Sequence, residues 1–487
     1  MALSWNEIKD IMKKHLLIST ILFLTLRVGH AQTNVSGGIY SNTTWTLANS
    51  PYIVVDTVVV FPGVTLTIKP GVVVKFSDNK RLEIRQAKLI ALGTITDSIT
   101  FTSNSSSPAP GIWSAIFLNK VESTDTLKFN YCNFKYASVA LDGSNSGYSI
   151  IIKNSVFSYN KIALTSAGCN YALVDTCNFR NNVNYGIAGL VNAKLNGCEF
   201  SYNGIGMSQI SYGAYNVIDN CSFYYNQYGI TDLGVSTIQY STFKHNQGGI
   251  IVGGGYAGSY ATVKNCVIDS NNVVGISIND GDTIINNQIT HNPTGLNDAM
   301  VFHYYDNVIT KNTIENNGIG IKLFYSQNQL YCNKICNNTS YDLYYDVAFG
   351  SNLNASNNYW CTSDSTSTTA VIYDGYDNIN LGLVNFMPLD TEQCYLATGI
   401  PMNTVQHFSF NIFPNPFSTQ TTLQTDIPLH NATLMVDNCF GQTITQIRNI
   451  NGQTIVFNRD NLPSGLYFVR LMQDSKIIAA KKLIITD

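Results

Sequence analysis

Six polar residues recur at intervals of 20 to 25 positions: Lys153, Asp175, Asn196, Asp219, Gln239 and Lys264. Each directly follows an apolar residue (Ile152, Val174, Leu195, Ile218, Ile238 and Val263). Two carboxylates in such a set could do glycosidic-bond chemistry, one protonating the leaving oxygen while the other activates water. If each repeat is one rung of a parallel strand stack, Asp175 and Asp219 stand two rungs apart, about 9.6 Å. That is the upper end of the separation an inverting pair needs. Lys153, Asn196, Gln239, Lys264 and Tyr224 would then be the substrate-binding candidates. A polar stripe is equally what any solvated sheet face displays. Tyr225, Tyr228, Tyr240, Tyr304, Tyr305, Tyr344 and Tyr345 crowd the turns, where rings and amides suit sugars; packing between coils would use the same rings. Asp280, Asp282 and Asp298 form a looser acidic patch.

The stripe has meaning only if something holds it in line, and a second repeat supplies that. Phe134, Phe157, Phe179, Phe200, Phe223, Phe243, Ile268, Ile289, Ile314 and Ile335 follow one another at spacings of 20 to 25. Three residues after each from Phe157 onward stands an asparagine: Asn160, Asn182, Asn203, Asn226, Asn246, Asn271, Asn292, Asn317 and Asn338. Five residues before each anchor the side chain is apolar, and two before it stand Cys132, Ser155, Cys177, Cys198, Cys221, Ser241 and Cys266. A third segment follows the asparagine, often Gly-Ile, as at Gly229-Ile230. Apolar residues alternate, so each period holds three short strands and no helix. One coil buries too little to stand alone, and equivalent positions must stack in a solenoid.

From about Asn42 to Asp390 the chain resembles the right-handed parallel β-helix family. The resemblance implies three parallel sheets and a buried asparagine ladder at one corner, each amide bonding backbone and the next asparagine. It covers the opening phrase "VVVFPGVTLTIKPGVVVKF" (58–76) and the closing phrase "NNYWCTS" (357–363), where Cys361 stands in place of the usual glycine. No dense aspartate cluster for calcium and no Asp-Pro-His run of the alginate-epimerase kind is present. Coils of constant length leave no long loops to wall a cleft.

Composition shifts after Cys394. "FNIFPNPFS" (410–418), Asp437…Gly441, Leu462…Gly465…Tyr467 and a basic, apolar terminal strand read as a small antiparallel β-sandwich. Their order resembles the C-terminal sorting domain of the type IX secretion system. The resemblance implies passage across the outer membrane of a diderm bacterium, handled by that secretion machinery and its sortase. The cargo would be released or held at the surface.

Charged residues make up 12% of the 487, about half the roughly 25% typical of soluble domains. A net charge of −3 without a basic stripe argues against nucleic acid. Lys13-Lys14-His15, the apolar run 16–26 and Gly29-His30-Ala31 form an export signal cleaved between Ala31 and Gln32, with Met12 as the expected start. The expected layout is signal 1–31, β-helix 32–395, linker 396–407 and sorting domain 408–487, a monomer with no membrane span after cleavage. Eleven cysteines in an exported chain invite disulfides. Cys132, Cys177, Cys198, Cys221 and Cys266 share one inward register, whose parallel Cβ vectors bridge poorly, and read as stacked small hydrophobes. Cys361 and Cys394 are the expected bridge, whereas Cys332 and Cys336 lack partners for a zinc set. His245 and His291 read as surface. No metal or cofactor is expected; calcium stays open without support from the sequence. The pattern points to a glycan-binding or adhesive module; the alternative is a polysaccharide lyase or glycoside hydrolase for an acidic or plant or algal polysaccharide.

Overall fold

Tyr171–Asp175, Asn178–Arg180 and Tyr185–Ala188 are three strands too short to bury a core by themselves. The next coil, Ala193–Asn196, Glu199–Ser201 and Ile205–Ser208, pairs with them in parallel, setting Val174 beside Leu195, Phe179 beside Phe200 and Ile187 beside Met207. Repeating this step builds one 13-stranded sheet from the first strand of each coil. A 27-stranded sheet holds the second and third strands. The computed structural model describes Trp5, Lys9 and residues 32–487, apart from 120–125, 146, 166–170, 190, 209–214, 253–259, 299–304, 349, 393, 395–409, 439–441 and 474–475. The expected export signal, Ala31 and Tyr304 lie outside the described residues. The chain divides into two compact units, Met1–Tyr395 and Leu396–Asp487.

Alternation along each strand decides what faces inward. From Phe101 to Phe243 the anchor rings stack at centroid distances of 4.4–4.9 Å, fully buried. Ile268, Ile289, Ile314 and Ile335 continue the column. Each such side chain contributes roughly 1.5–3 kcal/mol by burial, and aromatic contacts add about 0.5–1.5 kcal/mol per pair.

The corner after this column carries the asparagines. Asn203 Oδ1 accepts from the backbone and side-chain nitrogens of Asn182 (3.1 and 2.9 Å), while its Nδ2 donates to Phe179 O and Asn226 Oδ1 (2.9 and 3.0 Å). The same four-bond pattern runs down to Asn338, which donates to the buried carboxylate of Asp342. Every amide here answers backbone groups that the turn would otherwise leave unpaired. The position two residues before the anchor changes type midway. Cys132, Cys177, Cys198, Cys221 and Cys266 are buried and unbridged, and burial pushes the Cys132 and Cys266 thiols up to about 12. Beyond them Asn287, Asn312, Asn333 and Asn358 form a second amide ladder in that column.

The glycine of each Gly-Ile pair lies where two coils approach. A Cβ on Gly206 would stand 2.6 Å from the Gly229 carbonyl oxygen and 2.9 Å from the Phe223 ring, and Gly229 meets Gly249 in the same way.

The C-terminal end of the solenoid corrects the expected bridge between Cys361 and Cys394. Cys332 pairs with Cys394, and Cys336 with Cys361. Cys361 falls 25 residues after Cys336, about one coil, so the two meet across neighbouring rungs. Cys332 occupies an outer corner, which Cys394 reaches as the chain returns. Cys361 adopts φ 60, a backbone conformation that accounts for glycine being usual there. Trp360 is buried in the last coil.

The second unit is one five-stranded antiparallel sheet formed by Phe410–Phe413, Gln420–Asn438, Thr443–Asn458, Gly465–Gln473 and Lys476–Ile485. Phe417, Leu423, Leu434, Val436, Phe457, Val469 and Leu483 make its core. Asn415, between two prolines, receives Ile484 N (2.8 Å) and donates to Lys482 O (2.9 Å), tying the first turn to the last strand. Arg470 makes a two-point ion pair with Asp437 and holds that carboxyl below its usual range.

Candidate functional site

The six stripe residues do fall in one register on the first sheet, Lys153 beside Asp175, then Asn196, Asp219, Gln239 and Lys264. Lys153 Nζ lies 3.5 Å from Asp175 Oδ2, and Asn196 Nδ2 donates to Asp175 Oδ1 at 2.9 Å. Asp175 is therefore engaged from both sides along the column. Asp219 Oδ1 is buried and has no hydrogen-bond partner. Tyr224 belongs to a different sheet, where it is in register with Ser201 and Lys244.

The clearest feature is a column the stripe does not contain. Two residues after each anchor stands a residue with φ between 55 and 69: Tyr136, Tyr159, Asn181, Tyr202, Tyr225, His245, Ser270, His291, Asn316 and Asn337. L-residues other than Gly and Asn seldom adopt this conformation. It turns these side chains outward along one corner. Tyr136 stacks on Tyr159 (5.9 Å between centroids), Tyr202 on Tyr225 (5.1 Å) and Tyr225 on His245 (5.0 Å). Tyr159, Tyr202 and Tyr225 are about half exposed, at 45%, 58% and 51%. Sequence reasoning singled out Tyr225 but missed Tyr136, Tyr159 and Tyr202. The available signal was their position, two residues after the repeating anchor.

Two expectations need correction. Tyr345 is fully buried, its hydroxyl donating to Ser351 O, because it faces inward where the last coils close. Asp280, Asp282 and Asp298 are not a surface patch; all three are buried. Asp282 serves as a ladder residue at a third corner, accepting from Ala261 N (2.9 Å) and Asn279 N (2.8 Å), while its own N–H donates to Asn307 Oδ1 (2.8 Å). Burial, with the neighbouring Asp298 and Asp280 charges, pushes its carboxyl up to about 7 against those two N–H bonds.

That shift has a definite sign. Between pH about 4 and about 7 the folded chain holds a proton that the unfolded chain releases, so stability falls as pH rises through this window and levels off above it. The shift from 3.8 to about 7 corresponds to at most about 4 kcal/mol. Glu83, Asp269 and Asp437 shift the other way: against the cost of burial, Arg85 and Asn119, His291 and Lys244, and Arg470 hold them below their usual range. Denaturation midpoints between pH 4.5 and 8 should fall for the native chain and stay flatter for Asp282→Asn. Parallel curves would exclude Asp282 as the source.

Among the described residues one group of three potential metal ligands occurs, Cys332, Asp390 and Cys394. Its two sulfurs are joined in a disulfide.

Three family models match the chain. Residues 411–486 match the secretion system C-terminal sorting domain, 114–260 the right handed beta helix region, and 232–378 the periplasmic copper-binding protein (NosD). Within 232–378 the described donors do not assemble a copper set. His245 and His291 stand two rungs apart and His291 bonds Asp269, Cys266 is buried with its thiol raised, and Cys332, Cys336 and Cys361 are bridged. No curated protein matches the chain. Similar solved structures include the Mannuronan C-5 epimerase AlgE6 A-module of Azotobacter vinelandii, at 13% identity, 68% of this chain, 90% of that chain and TM-score 0.35. An alginate lyase from Paenibacillus sp. matches at 12%, 53%, 89% and 0.24. The tailspike protein of E. coli bacteriophage HK620 matches at 12%, 88%, 85% and 0.36. Among the described residues no helix is long and apolar enough to cross a membrane.

Proposed function

We propose that this chain, a right-handed parallel β-helix ending in a secretion-system sorting domain, is a glycan-binding or adhesive module of the cell exterior. Its tail directs export by the type IX route to the cell surface or extracellular space, through contact with that machinery. The observation that carries the binding reading is the exposed aromatic column at the asparagine corner, with Tyr159, Tyr202 and Tyr225 presented to solvent. Holding tyrosine in a left-handed conformation is unfavourable by about 1–2 kcal/mol per residue; the turns of the solenoid impose that conformation, and the choice of tyrosine for it is what favours a binding role. Rings spaced by the rung distance can follow an extended polymer, and the stripe of amide, carboxylate and ammonium groups on the first sheet adds hydrogen-bonding groups. No metal enters this reading.

The second reading, a polysaccharide lyase or glycoside hydrolase, draws on Asp175 and Asp219 sharing one outward column two rungs apart. Affinity electrophoresis against soluble polysaccharides, run beside reducing-sugar and unsaturated-uronate assays, separates the two. The binding reading expects retardation by at least one polymer, weakened several-fold in Tyr202→Ala/Tyr225→Ala, and no new chain ends. Turnover that vanishes in Asp175→Asn or Asp219→Asn would transfer the assignment to the enzyme, and absence of retardation by every polymer would end the binding reading.

A further inference from the structure

The aromatic column is interrupted once among its tyrosines. Tyr136 and Tyr159 form one stack and Tyr202, Tyr225 and His245 another, with Asn181 on the rung between them. The inner faces of Tyr159 and Tyr202 are thus turned toward the same rung. Two rungs span about 9.6 Å. Van der Waals contact of about 3.5–4.0 Å on each side leaves about 2 Å for a guest ring, room for a puckered sugar. An asparagine side chain is shorter than a tyrosine's by the outer part of the ring, so the Asn181 amide floors this slot without filling it.

The residue beside the floor is cationic. Arg180 is exposed, and among the described residues no carboxylate lies within ion-pair distance of it. Its neighbours in register, Ser158 and Ser201, are both short, and Ser201 Oγ donates to Glu199 Oε1 at 3.1 Å, which keeps that carboxylate engaged along its own strand. Lys244 further along that column is already paired with Asp269 at 3.1 Å. Ser158, buried to 1%, has a hydroxyl oxygen with no hydrogen-bond partner. An unpaired guanidinium beside an aromatic-walled slot fits a planar two-oxygen anion.

We propose that the gap between Tyr159 and Tyr202 is a binding slot for one carboxylated pyranose of a polysaccharide, its ring held between the two tyrosines and its carboxylate on Arg180. This rests on the glycan-binding reading and narrows it to a ligand class, the uronates, and to one place.

The test uses the purified full-length protein and a panel of uronate polymers (polygalacturonate, polymannuronate and polyglucuronate), with methyl-esterified polygalacturonate and dextran as uncharged counterparts. Two variants are compared. Arg180→Gln removes the charge. Asn181→Tyr fills the slot with a ring that the coils on either side already carry at the same φ, so folding is preserved. The expected result is tighter binding of at least one uronate polymer than of its uncharged counterparts, reduced tenfold or more in both variants, with circular dichroism unchanged. Uronate binding that survives in both variants would overturn the slot while leaving the glycan-binding reading intact. Equal binding of charged and uncharged polymers would overturn the ligand class. Binding of no polymer would end both.

Discussion

Replacing Asn203 by leucine is expected to lower the stability of the β-helix by about 2–6 kcal/mol, the loss of two buried hydrogen-bonding groups at about 1–3 kcal/mol each. Leucine has the branched skeleton of asparagine but a larger volume, so it leaves no cavity and adds some overpacking to the lost polar pairing. The Asn182 backbone N–H loses its acceptor and the Phe179 carbonyl loses its donor, both in a corner that water does not reach. Asn226 Oδ1 keeps the Asn203 backbone N–H, and Asn182 Nδ2 keeps Phe157 O, so the damage stops one rung away on each side. In a stack of repeats a local defect acts on neighbours first. Hydrogen exchange should therefore accelerate most between residues 171 and 230, with a smaller effect at the ends of the solenoid. Tyr202→Ala, one residue earlier but facing solvent, should change stability by less than about 1 kcal/mol. If the two variants were equally stable, the asparagine ladder would not be what holds the corner.

Deleting residues 408–487 should abolish delivery beyond the outer membrane and leave a folded β-helix in the periplasm. The two units have separate apolar cores, one running from Trp45 to Val384 and the other built from Phe410, Phe417, Leu423 and their neighbours. Truncation therefore removes the address without opening the solenoid, whose last coil is closed by Trp360 and two disulfides. Cell fractionation with an antibody to the β-helix provides the measurement, and protease resistance of the periplasmic pool checks that it is folded. The same amount of truncated and full-length protein outside the cell would refute the role of the tail.

Much of the fold could be read from spacing because a parallel stack is a translation. Phe179, Phe200 and Phe223 lie over one another since each coil repeats the last, and counting residues is then equivalent to measuring along the axis. The same logic found the inward cysteines. It stopped short wherever a residue's role depends on what returns to meet it. Asp282 looks like any acidic turn residue in the sequence, yet Ala261 and Asn279 N–H groups from two segments converge on it and bury it. Cys394 lies beyond the repeat, so no spacing could say that it turns back to Cys332 and not to Cys361. Tyr345 was read as a turn residue, yet it ends a strand in register with the buried Leu323, the inward position of the coil before it. The aromatic corner column was hidden for another reason. Its members are Tyr, Asn, His and Ser, united by backbone conformation and not by side-chain type, so a search by residue class passes over them.

The bridge between Cys332 and Cys394 has a mechanical consequence. Any tension applied through the tail during transport enters the β-helix at Cys394 and passes through a covalent bond to Cys332, two coils from the end. The terminal rungs sit in the slack of that 62-residue loop, shielded from a load that would otherwise unzip them one at a time. The cargo is thus reinforced at the single point where its carrier can pull on it.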